Sequence, residues 1–352
     1  MFARCLRAGA WLVASLAVLA GLAYLYYRSL EIDQIPKANP QATVQDLDWL
    51  QRGLARGERR GKILAVVSST ARMAQGAKKA GYELTELSRA YYVFMANGYE
   101  VDIASPAGGT PPARIDADDM GEADHAFMND KVAQARLARS LRLADVDAHA
   151  YAAVYFVGGK GAMFDFPGNP DIARIVRTVA AKGVIGAVCH GPAALAGLTL
   201  ADGSSLLAGR RVAAFSNAEE LFLRKDARAV LPFMLEERLR LAGARVESGP
   251  MFLERAVTDG PLVTGQNPWS TWAVAERMIA ALGHRPVPRP ATAEENSVRL
   301  LATYRREGLA AASAEQAATP RFDKMLLLMH ALIAGMQWRV LDAFELQRLA
   351  RS

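Results

Sequence analysis

GVIGAVCHGPAALAGL, Gly183 to Leu198, is the stretch that decides the fold. An apolar run ends at Val188, and Cys189, His190, Gly191 and Pro192 follow before a series of small residues. A strand buried on both faces reads as such a continuous run, and its passage into a helix belongs to an open α/β sheet. The sharp turn between them needs small residues so that backbone and helix can approach, and Ala187 and Gly191 supply them. Cys189 then occupies a nucleophile elbow at a helix N-terminus, where unpaired N–H groups and the helix dipole favour thiolate over thiol. A cysteine serving only as a small buried hydrophobe gains nothing from that placement.

Outward from this turn, strands alternate with helices. Ile63 to Val67, Tyr99 to Ala104, Ala152 to Val157, Val184 to Val188, Arg211 to Phe215 and Leu262 to Thr264 read as strands. Glu83 to Asn97, Asp171 to Lys182, Val230 to Ala242 and Thr271 to Leu282 carry helical patterns. The alternation predicts an open, mostly parallel sheet with helices on both faces, whose ligands bind at the carboxyl ends of the strands. Thr43 to Arg56 reads as a short amphipathic helix, with Val44, Leu47, Leu50 and Leu54 on one stripe. After Gly283 a proline-rich linker, HRPVPRP, leads to two helical segments, Ala293 to Glu307 and Met325 to Leu346. The expected division is 1–28, 29–61, 62–283 and 284–352: an anchor, a tether with a short helix, the α/β domain and a helical extension.

The chain has 352 residues, 51% hydrophobic and 22% charged, enough to bury a core and too apolar for wholesale disorder. A net charge of +6 comes from Lys and Arg scattered among acids, so nucleic acid is not an expected partner. Two cysteines, Cys5 and Cys189, exclude CxxC metal sites and a disulfide framework. His125, His149, His284 and His330 lack metal-ligand spacing.

Ala8 to Tyr27 carries no charge, and Trp11, Tyr24, Tyr26 and Tyr27 lie near its ends. Twenty such residues in a helix match a bilayer core of roughly 30 Å. The expectation is an uncleaved single-pass membrane anchor. Arg4 and Arg7 before the span bias the body toward the outside of the cytoplasm.

AVCHGPAAL resembles the nucleophile turn of the ThiJ/PfpI superfamily, related to class I glutamine amidotransferase domains. More closely, it resembles the branch of heat-shock chaperones and glutathione-independent glyoxalases. GYELTELSRAYYVFMANGYEVDIASPAGG (Gly81 to Gly109), LADVDAHAYAAVYFVGGKGAMFDFPGNP (Leu143 to Pro170), FSNAEE (Phe215 to Glu220) and LVTGQNPWS (Leu262 to Ser270) match as well, in order, between about Lys62 and Gly283.

The resemblance implies a flavodoxin-like sheet and residue roles. Cys189 matches the nucleophile, and His190 the histidine beside it. Glu86 matches an acid of the first helix lying against the sulfur, with Glu83 one turn earlier as the competing choice. Taken alone, Glu86 is an ordinary helix acid; only the resemblance singles it out. An acid from FSNAEE pairs with the histidine, Glu220 by spacing or else Glu219. The N–H groups of Gly159 and His190 would form an oxyanion hole. Lys160 stands where the branch usually has His, and puts a cation at the substrate-binding rim. Arg89-Ala90 replace a common His-Pro, and Ala80 a common Thr.

The implied function is a cofactor-free glyoxalase converting methylglyoxal to lactate, or a deglycase acting on glycated proteins in carbonyl stress. The alternatives are a holding chaperone or redox stress protein without turnover, and a Cys-His-Glu amidase or protease. The implied partners are a small aldehyde or glycated protein, the membrane through the N-terminal helix, and a second copy in a homodimer. No metal or cofactor is implied.

Overall fold

Strand β1 (Lys62–Val66) is an interior strand of a seven-stranded sheet in the computed structural model of the chain. The structure describes residues 37–73, 78–200, 202–319 and 321–351 throughout, and ahead of these residues 11, 15, 17, 18, 20, 21 and 24–32. The other strands are β2 (Glu100–Ser105), β3 (Leu141–Arg142), β4 (Tyr151–Phe156), β5 (Val184–Val188), β6 (Ala256–Asp259) and β7 (Leu262–Gly265), in spatial order β6-β7-β5-β4-β1-β2-β3. All neighbours are parallel except the β6–β7 pair. Every residue of β5 is buried, as are Ile63 to Val66 of β1, which is why these strands read as unbroken apolar runs.

The carboxyl ends of β4 and β5 carry the turns 157–161 and 189–192, so the elbow and the glycine pair face the same edge of the sheet. Helix α1 (Asp48–Leu54) packs on α2 (Leu84–Ala96), and α2 also packs on the last helix of this layer, Thr271–Ala281. Trp49 meets Trp272 edge-to-face at 6.0 Å between centroids. The helix Pro170–Ala180 packs separately against β4 and β5. Asn169 caps it by accepting from the N–H groups of Asp171 and Ile172, proline opens it, and Ile172, Ile175, Val176 and Val179 form its buried face. Each such side chain contributes roughly 1.5–3 kcal/mol by burial.

Several elements differ from the sequence reading. Arg211 to Phe215 does not enter the main sheet. Arg211–Val212 pairs with Arg245–Val246 in a separate two-stranded ladder. Beyond it, the Ala213 N–H goes to Thr264 Oγ1 and the Phe215 N–H to the Cys189 carbonyl, so no ladder continues. The helix expected over Val230 to Ala242 is two pieces, Ala227–Val230 and Leu235–Leu241, divided where Pro232 lies. Leu47 splits Thr43 to Arg56 into a 3-10 turn, Val44–Asp46, and α1.

The chain divides into two units, Ala38–Pro290 and Met1–Lys37 with Ala291–Ser352. The second has four helices in its C-terminal part: Ala293–Glu307, Leu309–Ala317, Lys324–Met336 and Val340–Arg351. Gly308, at φ 86°, separates the first two, and the break around Trp338, at φ 61°, the last two. Within this unit Arg351 lies over the Tyr26 ring and donates to Ser29 Oγ, and Tyr26 Oη donates to Gln347.

Among the described residues no helix is long and apolar enough to cross a membrane. The reading of Ala8–Tyr27 as a membrane anchor is therefore corrected, and with it the single-pass placement and the orientation built on it. The described end of that stretch instead meets the C-terminal helix. Residues 8–10, 12–14, 16, 19, 22 and 23 of the stretch lie outside the described residues.

Arg89 turns out to be buried. Its guanidinium reaches Asp124 at 3.3 Å and the Asp119 carbonyl at 3.0 Å, and Ser88 Oγ also donates to Asp124. Removing one partner of a buried ion pair strands the other's charge, so Asp124→Ala is expected to cost roughly 3–5 kcal/mol. Denaturant melts monitored by circular dichroism measure this; a loss below about 1 kcal/mol would contradict the burial of the pair.

Candidate active site

Cys189 leaves β5 with φ 58°, a left-handed conformation that costs a residue bearing a β-carbon roughly 1–3 kcal/mol. The neighbouring backbone imposes it. The Cys189 N–H donates to the Gly265 carbonyl of β7, and the Cys189 carbonyl accepts from Phe215, each at 2.9 Å. Only glycine fits two residues on, because a β-carbon at Gly191 would lie 2.2 Å from the Phe156 carbonyl oxygen. The segment that follows, Gly191–Leu195, is a five-residue 3-10 turn and not the expected helix. The macrodipole that would have favoured a thiolate is thus largely missing.

Around the sulfur, His190 Nδ1 lies 3.3 Å from Cys189 Sγ, and His190 Nε2 lies 2.7 Å from Glu220 Oε2. Phe215 stacks on the imidazole with centroids 4.5 Å apart. The other Glu220 oxygen, Oε1, is 3.0 Å from Lys160 Nζ. So Lys160, expected as a substrate-facing cation, has its ammonium on the acid that meets His190. Burial alone would raise the Glu220 carboxyl. The hydrogen bond to His190 and the Lys160 ammonium beside it outweigh this and hold the group at about 2.

Glu219, one residue earlier on the helix α3 (Asn217–Leu223), points to another task. Its carboxylate accepts from Ser216 N and Oγ, Phe252 N, Gln266 Nε2 and Asn267 Nδ2. Ser216 Oγ in turn accepts from the Glu219 N–H, closing a capping box. These bonds tie the start of α3 to the loops around Phe252 and Gln266.

Glu86, in the first turn of α2, is fully buried. Its Oε2 accepts from the Gly158 N–H at 2.7 Å, and Tyr155 Oη donates to its main-chain carbonyl at 2.9 Å. Burial, and after it the charge that Glu83 carries when ionised, holds its carboxyl well above the usual range. Glu83 caps α2 from the β-region and is itself raised to about 8 by burial and by Asp119. A β-carbon at Gly158 would fall 2.6 Å from Glu86 Oε2 and 2.8 Å from Cys189 Cβ, so carboxyl and cysteine converge on that glycine. Gly159, at φ 94°, directs its N–H toward the sulfur. Among the described residues, the N–H groups of Gly159 and His190 donate to no main-chain carbonyl.

Burial pushes the Cys189 thiol up, and so does the Glu86 carboxylate when ionised; the Gly159 N–H opposes this only partly. The depressed value expected from the helix N-terminus is therefore corrected. Among the described residues no group of three or more His, Cys, Asp or Glu side chains is placed to hold a metal ion.

Gly158 and Tyr155 were not singled out from sequence. The doublet Gly158-Gly159 after a strand was the available signal, since two glycines in succession mark two close approaches.

The sequence model of the DJ-1/PfpI family matches residues 77–281, more than half of the chain. The chain belongs to the DJ-1/PfpI family. Among its DJ-1/PfpI relatives, Glyoxalase 3 of Candida albicans is 30% identical over 236 residues, covering 62% of this chain and 97% of the relative. The glutathione-independent glyoxalase HSP31 of Saccharomyces cerevisiae is 31% identical over 230 residues, with 62% and 97% covered. Of solved structures, the 24 kDa Rapid Encystment Protein of Francisella tularensis superposes with a TM-score of 0.59 at 33% identity, over 63% of this chain and 99% of that one. Glyoxalase III of Candida albicans gives 0.56 at 27% identity, over 64% and 98%.

For this DJ-1/PfpI site, iodoacetamide labelling of Cys189 is expected to show a midpoint above the free-thiol value of roughly 8.5. Glu86→Gln should lower that midpoint, because no second negative charge then opposes the thiolate. A wild-type midpoint at or below 8.5 would contradict the assigned burial and coupling.

Proposed function

We propose that the chain is a glutathione-independent glyoxalase that converts small 2-oxoaldehydes such as methylglyoxal to 2-hydroxy acids, with Cys189 as nucleophile. The observation that carries this reading is the fully buried Glu86 carboxyl, raised by desolvation, converging at Gly158 on a cysteine held on a strained turn. The names of the relatives, glyoxalases independent of glutathione, support it.

Cys189 passes its proton to His190 Nδ1, and the sulfur adds to the aldehyde carbon. The resulting oxyanion meets the N–H groups of Gly159 and His190. Glu86 protonates that oxygen, giving a hemithioacetal. Its ionised form then removes the proton from the former aldehyde carbon while protonated His190 gives its proton to the neighbouring carbonyl oxygen, making an enediol. Glu86 returns the carbon-bound proton to the adjacent carbon, and the hydroxyl on the sulfur-bearing carbon gives its proton back to His190, which leaves a thioester of the hydroxy acid. Water attacks the thioester and loses a proton to the ionised Glu86, and protonated His190 returns its proton to the departing sulfur, so the hydroxy acid leaves with thiol, imidazole and carboxyl restored. The net change is addition of one water, with no external oxidant. Glu220 only orients His190 and steadies its charged form.

The unbroken Cys189–His190–Glu220 chain, at 3.3 and 2.7 Å, favours a second reading, a Cys-His-Glu hydrolase of amide or ester bonds.

Methylglyoxal consumption with lactate detection tests the first reading, and Cys189→Ala should abolish it. Glu86→Gln keeps shape without ionising, and should lower turnover roughly 100- to 10,000-fold while the fold persists. Glu220→Gln should be milder. Near-normal turnover in Glu86→Gln with loss in Glu220→Gln would move the assignment to the hydrolase. A cysteine-free variant that still clears the aldehyde would end both readings.

A further inference from the structure

We propose that Lys160 is a positioning residue that acts through Glu220, latching the loop that offers the Gly159 N–H to the helix that carries the acid facing His190. The inference rests on the reading of Cys189 as a nucleophile served by His190.

The latch begins in the loop. Lys160 follows Gly159, whose backbone is crowded from one side: a β-carbon there would lie 2.5 Å from the Gly81 carbonyl oxygen and 2.6 Å from the Glu83 nitrogen. Main-chain bonds fix this loop at both ends, Glu83 N to Gly158 O at 3.1 Å and Gly161 N to Gly81 O at 3.0 Å. The direction in which Lys160 leaves the loop is therefore set by backbone. Its ammonium reaches Glu220 Oε1 at 3.0 Å, and the side chains are only 25% and 5% exposed. An exposed pair of this kind would contribute little, but here the carboxylate is desolvated, with a hydrogen-bonded imidazole on one oxygen and the ammonium in ion-pair contact with the other. One oxygen takes the lysine and the other the imidazole at 2.7 Å. Without the ammonium, Glu220 is free to rotate away from Nε2, and the Nδ1 that faces Sγ loses its fixed orientation.

A substrate-binding lysine would look different. Its cation would be unpaired and turned toward the sulfur, where it would attract anionic reagents. The Lys160 cation is instead spent on Glu220, so it should not discriminate by reagent charge.

Alkylation of Cys189 separates the two roles and needs no aldehyde turnover, so the result stands even if the glyoxalase reading fails. Rates are measured with neutral iodoacetamide and anionic iodoacetate in the full chain, with circular dichroism melts to confirm folding. Lys160→Met is expected to slow both reagents by the same factor within about twofold, roughly five- to tenfold, the size of coupling between contacting groups. Lys160→Arg should recover most of the rate. In a Glu220→Gln background, Lys160→Met should have no further effect. Should Lys160→Met fail to fold, Lys160→Gln repeats the series. A loss confined to iodoacetate would make Lys160 an anion-binding group. A loss of equal size in the Glu220→Gln background would show that it acts independently of Glu220. An unchanged rate in every variant would make the ion pair inert. Any of the three overturns the proposal.

Discussion

The left-handed backbone at Cys189 is the constraint on which the rest of the molecule depends. It is kept by two main-chain bonds from separate parts of the chain, to Gly265 at the end of β7 and from Phe215 ahead of α3. Those bonds come from the neighbouring strand and from the segment that delivers Glu219 and Glu220, so the turn is held by parts of the chain distant from it in sequence. The site is thus a product of tertiary assembly. Gly191 and Gly158 serve the same end: each is a place where backbone or carboxyl comes closer than a β-carbon allows.

Charge is arranged asymmetrically around the sulfur. On one side burial raises a carboxyl well above its usual range, and on the other the His190 hydrogen bond and the Lys160 ammonium hold a carboxyl low. Two glutamates thus offer different services: Glu86 a carboxyl that favours its protonated form and Glu220 one that favours its charge. Their environments set the difference, desolvation in the first case and specific partners in the second.

Much of this was legible in the residues. The apolar runs of β1, β4 and β5 gave strands, and a cysteine between a valine-rich strand and Gly191-Pro192 gave the elbow. Other parts were not. An acid in a helix normally faces water, so nothing in Glu86's immediate neighbours marks it as fully buried. The choice between Glu219 and Glu220 depends on helix rotation, and the Lys160–Glu220 pair joins residues 60 apart on different elements. The strand Ala256–Asp259 was missed because four residues carry too little period-2 signal. At the N-terminus the length of an uncharged run outweighed everything else in the reading, and the structure departs from it there.

Adjacent glutamates on α3 carry two jobs that do not overlap: one braces loops, the other meets a histidine. Neighbouring positions on a helix diverge by about 100°. A single deletion between Ser216 and Glu220 would therefore swing both carboxylates off their targets together, unbracing the wall and disorienting the imidazole in one stroke. The first turn of this helix is accordingly the place where length change should be least tolerated, and where a homologous chain of different length would have to rebuild the braced loops and the His190–Glu220 pair at once.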